Sequence, residues 1–286
     1  MVKTKGQAPL LSVENLSFSF PDGNRVVNNI SFQVQAGEIV FFHGKNGAGK
    51  TTLFQCLTGL LKVKDGTIRF HGKPFPREKD RLKKIAIVFQ NADDQIIAGS
   101  VADEVAFGPL NLRLPIEEVK QRVDWALKVM DIQELSTRPP HFLSYGQKKR
   151  VTIASILAMK PDILILDEPT AGLDQEQAEE LVVTLKTLAK QGMTLLISTH
   201  ETDFSYRLAD RVIFIDQGSK ICDGLPEEVF LNQEVINTIG VKKPVILDVY
   251  DTLCQVGVLA PGDSPKDQKD MIQLIQDLAK IEEMKN

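Results

Sequence analysis

The residues most able to do chemistry form a glycine-rich stretch at positions 44–51, where Gly-Lys-Asn-Gly-Ala-Gly-Lys-Thr matches the pattern GxxxxGK[ST]. This pattern indicates a phosphate-binding loop only where a strand precedes it and a helix follows it. Residues 39–42 are an apolar run typical of a buried strand, and residues 51–61 have no proline and no glycine before Gly59, which favours a helix. Because both flanks fit, a glycine-rich turn without chemistry is the weaker interpretation.

Such a loop points backbone N–H groups at phosphate oxygens, and the helix N-terminus adds a partial positive charge. Lys50 is expected to supply a point charge for the β and γ phosphates, and Thr51 a hydroxyl for Mg²⁺. The sequence therefore predicts binding of a nucleoside triphosphate with Mg²⁺. The residues expected around the phosphates are Asn46, Gly47, Ala48, Gly49, Lys50, Thr51 and Thr52.

A second candidate site lies where the apolar run 163–166 ends in Asp167 and Glu168. Adjacent acids at the end of a buried strand are costly unless they meet a cation or water at the sheet edge, where open α/β sheets bind ligands. We assign Asp167 to the Mg²⁺ shell and Glu168 to the attacking water. A glutamate with a pKa near 4.3 is a weak base at neutral pH and must work chiefly by position. Taken alone, an Asp-Glu pair is equally typical of a strand end at which the two acids only favour solubility.

Elements that could position these residues alternate along the chain. The predicted buried strands are residues 39–42, 85–89, 163–166, 194–198 and 212–216. Helical periodicity is found at 117–130 and at 175–190, the latter ending before Gly192. Strands that alternate with helices predict an α/β fold with a largely parallel central sheet.

The two ends of the chain differ from this pattern. Residues 11–34 and 67–70 have short strand patterns and a turn signal, which favours an antiparallel β layer. Glycines and prolines after residue 238 predict a boundary. We therefore expect one domain over residues 1–240 and a small appendage over 241–286, with a role in dimerisation.

Composition excludes several classes of protein. The 34 basic and 38 acidic residues give a net charge of −4, which provides no general reason to bind nucleic acid or anionic lipid. The three cysteines form no CxxC pair, so neither a disulfide framework nor a zinc site is indicated and a reducing cytoplasm fits best. No stretch approaches the roughly 18 apolar residues of a membrane helix. Action at a membrane would therefore be peripheral.

A family resemblance rests on several motifs in one order. Residues 143–147, Leu-Ser-Tyr-Gly-Gln, resemble the LSGGQ signature of ABC ATPases, with Tyr145 in place of the first glycine. Gln90 after a strand resembles the Q-loop, residues 171–174 the D-loop, and His200 the switch histidine. The resemblance covers about residues 11–235. It implies a P-loop ABC ATPase with an antiparallel β subdomain, a helical subdomain at about 95–150 and a small C-terminal extension.

The resemblance also implies roles around ATP and Mg²⁺. Phe20 matches the aromatic residue that stacks on adenine, with a buried strand aromatic as the alternative. Gln90 would complete the Mg²⁺ and water environment, and His200 would contact the γ-phosphate. The implied catalytic set is Lys50, Gln90, Glu168 and His200, and the implied Mg²⁺ set is Thr51, Gln90 and Asp167.

The signature implies that two subunits share each site. Ser144, Gly146 and Gln147, at the start of a helix, would contact the γ-phosphate of ATP held by a second ATPase subunit. Asp174 would link the two active sites across the dimer. The basic run 148–150 is predicted to be a solvated helix face. His43, His71 and His141 are expected to be structural.

Residues 89–96 and 105–112 are similar to the energy-coupling factor (ECF) importers. Their Asp-Asp-Gln and Gly-Pro-Leu-Asn-Leu forms are closest to the cobalt and nickel type. The resemblance implies a transmembrane coupling protein and a substrate-binding membrane subunit as partners, at the cytoplasmic face of the cell membrane.

Other classes fit less well. An ATPase of a vitamin-type ECF importer or of another ABC importer is the principal alternative. DNA-repair ABC ATPases need a long insertion between the nucleotide motifs, whereas Lys50 and Asp167 are only 117 positions apart. Translation-associated ABC proteins carry two cassettes, and one is found here.

Overall fold

The computed structural model describes residues 8–75 and 78–283, and strands alternate with helices through most of them. The strands are β1 (Leu11–Ser19), β2 (Arg25–Val34), β3 (Ile39–His43), β4 (Asp65–Phe70), β5 (Lys73–Pro74), β6 (Ile85–Val88), β7 (Ile163–Asp167), β8 (Thr194–Thr199), β9 (Arg211–Asp216) and β10 (Ser219–Gly224). The helices are α1 (Lys50–Thr58), α2 (Glu78–Arg81), α3 (Val101–Asn111), α4 (Ile116–Val129), α5 (Tyr145–Ala158), α6 (Gln175–Lys190), α7 (Thr202–Leu208), α8 (Pro226–Leu231), α9 (Gln233–Ile239), α10 (Val245–Gln255) and α11 (Gln268–Glu283).

The strands form two sheets. One is antiparallel, in the order β2-β1-β4-β5, and the other has the order β10-β9-β3-β8-β7-β6. Neighbours from β9 to β6 run parallel, and β10 pairs antiparallel with β9. The predicted α/β class, with a parallel central sheet and an antiparallel layer, is confirmed.

The central strands are buried on both faces, which explains their uninterrupted apolar sequences. In β3, Phe41 packs into the cluster that contains the helices α4 to α6, whereas Phe42 packs into the cluster shared with the antiparallel sheet and α1. Leu166 and Ile165 of β7 divide between the same two clusters. This alternation follows from the two-residue period of a strand. The ends of these strands are consequently held at fixed positions.

The observed boundaries differ from the predicted ones where glycine or local turns intervene. Helix α1 ends at Thr58 rather than at residue 61, because Gly59 adopts a left-handed conformation with φ of 83° and caps it. Helix α6 has the predicted bounds. Strand β10 was not predicted, since its residues 219–224 are mixed in polarity and only partly buried.

The C-terminal segment contacts α7 at the start of α10 and in the loop between α10 and α11. The Tyr206 hydroxyl donates a hydrogen bond to Ser264 Oγ at 2.8 Å, and the Lys266 ammonium lies 4.4 Å from the centre of the Tyr206 ring. The backbone N–H of Val245 donates to Asp203 Oδ1 at 2.7 Å. Tyr206 is only 1% exposed, so it anchors the segment through apolar area as well as its hydroxyl. The division into 1–240, with a helical part at 95–150, and 241–286 remains a prediction.

We expect Tyr206→Ala to lower the free energy of unfolding by about 3–5 kcal/mol, because it leaves a cavity under the C-terminal segment. Tyr206→Phe keeps the ring and loses only the hydrogen bond to Ser264, so about 1 kcal/mol is expected. Urea unfolding of both variants measures the difference. Equal losses would show that the ring does not anchor this segment.

Candidate active site

The glycine-rich loop connects β3 to α1 at the carboxyl end of the parallel sheet. Its glycines are required by contact with neighbouring backbone. A Cβ on Gly44 would lie 2.3 Å from the Ile215 carbonyl oxygen, and one on Gly49 would lie 2.5 Å from the Val26 carbonyl oxygen. Gly49 also has φ of 101°, which side chains rarely allow. The loop is thus pressed against β2 and β9 and leads directly into α1.

The loop forms one wall of a cleft of about 270 Å³. The lining residues are Val26, Asn46, Gly47, Ala48, Gly49, Lys50, Thr51, Thr52, Gln90, Asp167 and Glu168. The structure therefore brings together the predicted phosphate residues and three residues from distant parts of the chain.

Lys50 curls back into the loop. Its Nζ donates to the Gly44 carbonyl at 2.7 Å and lies 3.8 Å from Glu168 Oε1. Burial lowers the Lys50 pKa, while Glu168 and Asp167 oppose this effect. A buried cation bordered by inward-facing backbone amides suits the triphosphate of a nucleotide.

Asp167 is 3% exposed and is held from two sides. Thr51 Oγ1 donates to Asp167 Oδ2 at 2.6 Å, and Ser198 Oγ donates to Asp167 Oδ1. A threonine hydroxyl beside a carboxylate supplies the oxygen ligands that Mg²⁺ prefers. The residues present therefore fit a magnesium ion bound together with phosphate oxygens.

Glu168 has an unusual backbone conformation, with φ of 47°. Its N–H donates to both the carbonyl and the hydroxyl of Ser198, at 3.2 and 3.0 Å. Its Oε2 lies 2.9 Å from His200 Nδ1. A left-handed φ is costly for a residue other than glycine or asparagine, and such a residue often marks a functional site. Here it directs the carboxylate between Lys50 and His200.

The predicted signature residues do not line this cleft. Ser144 caps α5, where its side chain accepts from the Gln147 N–H and the Gln147 side chain accepts from the Ser144 N–H. Gly146 packs against Gln177, so that a Cβ there would lie 2.4 Å from Gln177 Oε1. Asp174 caps α6 by accepting from the Gln177 N–H at 2.8 Å. These residues form a separate group on the two helix N-termini.

Phe20 follows the end of β1 and is 36% exposed, so the alternative of a buried strand aromatic is wrong. Its ring packs edge-on against Phe18, with centroids 5.1 Å apart. Phe20 does not line the cleft described above. His43, expected to be structural, is fully buried beside Ser205, and burial together with nearby Lys50 and His200 lowers its pKa to about 3.

The prediction that residues 148–150 form a solvated helix face is wrong for Lys149, which is 1% exposed. Its Nζ donates to the carbonyl oxygens of Phe89 and Gln90, at 3.1 and 2.6 Å. Burial lowers the Lys149 pKa to about 8, although Asp167 and Glu168 oppose the shift. A run of basic residues hides which member turns inward, because only the packing of α5 against β6 determines it.

Comparison with known proteins identifies the family to which this site belongs. The ABC transporter family model matches residues 27–171, about half of the chain. The chain belongs to the ABC transporter family. It is an ATPase of this family, as the motifs implied.

This ABC ATPase is 44% identical over 248 residues to the energy-coupling factor transporter ATP-binding protein EcfA of Methanocaldococcus jannaschii, covering 85% of this chain and 89% of that protein. It is 41% identical over 273 residues to an ABC transporter ATP-binding protein of Methanosarcina mazei, 94% of this chain but 60% of that protein's length. The solved structure of cbiO1 from Clostridium perfringens, part of the ABC transporter complex cbiONQ, has a TM-score of 0.73 and 40% identity. The alignment covers 86% of this chain and all of that one.

The ABC ATPase also contains a site residue to which the sequence analysis assigned no role. The Ser198 hydroxyl donates a hydrogen bond to the Asp167 carboxylate and accepts one from the Glu168 backbone N–H. The available signal was a serine directly after the apolar run Leu-Leu-Ile of strand β8. Within the part of the chain that the structure describes, no helix combines the length and apolarity needed to cross a membrane.

We expect Ser198→Ala to lower kcat by about tenfold or more and to raise the Mg²⁺ concentration for half-maximal activity, because residues that orient metal-binding carboxylates have effects of this size. Steady-state ATP hydrolysis across a Mg²⁺ titration measures both. Ser155→Ala is the matched control, since Ser155 Oγ bonds only to the Thr152 carbonyl within α5. An unchanged Mg²⁺ dependence would contradict the role of Ser198.

Proposed function

We propose that this ABC ATPase powers an ECF-type importer that takes up a transition metal ion, cobalt or nickel, through membrane partners. The observation that carries the ATPase part is the cleft in which Lys50, Thr51, Asp167 and Glu168 meet. Similarity to EcfA and to cbiO1 of the cbiONQ complex supports the transporter part. The proposal that the substrate is cobalt or nickel rests on the sequences of residues 93–95 and 108–112, which resemble the cobalt and nickel type of importer.

In the proposed reaction, a water oxygen bonds to the γ-phosphorus of ATP while the bond to the β,γ-bridging oxygen breaks, giving ADP and phosphate. Glu168 orients this water and accepts its proton on the way to the phosphate. Lys50 stabilises charge on the phosphates, and His200 holds Glu168 and contacts the γ-phosphate. Thr51, Asp167 and Gln90 would hold Mg²⁺, which would supply positive charge to the phosphates when bound.

We further propose that a second ATPase subunit, identical or homologous, completes each site. Ser144 is exposed at the N-terminus of α5, where helix dipole and free N–H groups favour an anion. Because Ser144 does not line the chain's own cleft, its phosphate contact would fall on ATP bound to the other subunit, and Asp174 would link the two sites. ATP binding then closes the dimer and hydrolysis reopens it. The C-terminal segment 241–286 would help to hold the two subunits together.

The surface beside Gln90 is the proposed contact with the transmembrane coupling protein. Four large apolar side chains are exposed in the segment 97–116 that follows Gln90 in the sequence, and these are Ile97, Phe107, Leu110 and Ile116. The buried carboxylate of Glu104 accepts from the N–H groups of Ile97 and Ala98, at 2.9 and 2.8 Å, which holds this segment in place. Exposed apolar groups on a held segment suit a protein partner. The ATPase would therefore act at the cytoplasmic face of the membrane.

A vitamin-type ECF importer is the alternative with which the named relatives are equally compatible. The relative from Methanocaldococcus jannaschii is named only as an energy-coupling factor ATP-binding protein, and its name specifies no substrate. Co-purification from native membranes in mild detergent, followed by radioactive cobalt and nickel uptake, distinguishes the two. Co-purification of a small metal-binding membrane subunit would support cobalt or nickel as the transported substrate, whereas co-purification of a vitamin-binding subunit would overturn that proposal.

For the ATPase site, we expect Glu168→Gln to reduce kcat by at least about 100-fold while retaining ATP-dependent dimerisation, because the amide keeps the shape but cannot accept the proton. Phosphate release and size-exclusion chromatography with and without ATP measure the two effects. Turnover like that of the wild type would remove Glu168 from this role.

Ser144→Arg separates the second subunit's contribution from ATP binding itself. The substitution places a bulky side chain at the N-terminus of α5 and leaves the cleft residues unchanged. We expect fluorescent ATP to bind with unchanged affinity and hydrolysis to be lost. Hydrolysis at the wild-type rate would contradict a shared site.

A further inference from the structure

Tyr145 occupies the position at which the signature departs from the family pattern, and it makes a specific bond. Its hydroxyl donates to the Gln90 carbonyl oxygen at 3.0 Å. Lys149, four residues later and therefore on the same face of α5, donates to the same oxygen at 2.6 Å. Two side chains of the signature helix thus converge on one backbone atom of the Q-loop.

The ring of Tyr145 makes a second contact, with the D-loop. A Cβ on Gly172 would lie 2.7 Å from Tyr145 Cε1, so the ring lies directly against the Gly172 backbone. Gly172 has φ of 79° and stands two residues before Asp174. Tyr145, a residue of the signature helix α5, therefore contacts both the Q-loop and the D-loop. A glycine at position 145 could make neither contact.

The Q-loop is held independently on its other side. Gln95 Oε1 accepts from the Phe89 N–H at 2.8 Å, and Gln95 Nε2 donates to the Ile87 carbonyl at 3.3 Å. Helix α5 contacts this loop at the carbonyls of Phe89 and Gln90 and at Asp93, and Tyr145 contacts it at the Gln90 carbonyl. The Gln90 residue lines the cleft together with Asp167 and Glu168.

We propose that Tyr145 is a positioning residue that sets the placement of Gln90 in the cleft from the signature helix. This inference rests on the proposed role of Gln90 at Mg²⁺ and water. The same helix begins at Ser144, which meets the nucleotide of the other subunit. Engagement of that nucleotide would therefore reach Gln90 through both Tyr145 and Lys149, and Lys149 keeps the loop attached when the Tyr145 hydroxyl is absent.

Tyr145→Phe tests the hydroxyl and keeps the ring on Gly172. We expect kcat to fall by about fivefold to tenfold, the effect of one lost hydrogen bond, with KM for ATP changed less than about twofold. Tyr250→Phe is the matched control, because that hydroxyl bonds to Gly262 in the C-terminal segment and does not line the cleft. A wild-type kcat for Tyr145→Phe, or an equal loss in Tyr250→Phe, would overturn the proposal.

A double-mutant cycle with Gln90→Ala shows whether Tyr145 acts through Gln90. When the Gln90 side chain is absent, Tyr145→Phe should cause no further loss of kcat beyond about 1.5-fold, because coupled residues are not additive. The full fivefold to tenfold loss in that background would mean that Tyr145 acts elsewhere. If Gln90→Ala alone has wild-type kcat, the proposed role of Gln90 fails, an outcome distinct from failure of the Tyr145 link.

Discussion

The carboxylate of Asp167 is fixed by two hydroxyl groups from different elements, Thr51 at the start of α1 and Ser198 at the end of β8. The register Asp167↔Ser198 places these residues side by side at the carboxyl edge of the parallel sheet. The same serine holds the Glu168 backbone in its left-handed conformation. The phosphate loop, the proposed Mg²⁺ ligand and the proposed catalytic carboxylate therefore share one rigid junction, which the buried strands on both sides keep in place.

A second constraint comes from α5. Its N-terminus, capped by Ser144 and Gln147, does not line the chain's own cleft, while its inner face is attached to the Q-loop through Lys149 and Tyr145. In the proposed dimer, the helix would contact the partner's nucleotide with its N-terminus and its own site through the Q-loop. This arrangement gives a physical reason why ATP hydrolysis in this family member would depend on two subunits, and why movement near Gln90 would reach the exposed apolar surface beside it.

Much of this arrangement was predictable from sequence because the phosphate loop, the Asp167-Glu168 pair and the amphipathic helix α6 carry local signals. The contacts of Ser198, Lys149 and Tyr145 were not predicted, since they join residues 30 to 60 positions apart. A basic run does not show which lysine becomes buried. In the sequence, Tyr145 stands out only as a residue in place of a glycine, and the packed structure is needed to show its hydroxyl at the Q-loop. Strand β10 was missed because an edge strand of mixed polarity lacks a clear alternation of apolar and polar residues.

The central claim is that Ser144 of one subunit meets the nucleotide cleft of another. The most direct measurement joins Ser144→Cys in one chain to Asn46→Cys in a second with a short bifunctional maleimide. Both chains carry Glu168→Gln, Cys222→Ser and Cys254→Ser, with Cys56 retained because it is buried. The account predicts a cross-linked dimer that forms with ATP and Mg²⁺ and is absent without nucleotide. Cross-linking that is independent of ATP, or no cross-linked dimer although ATP binds, would contradict a site shared between two subunits.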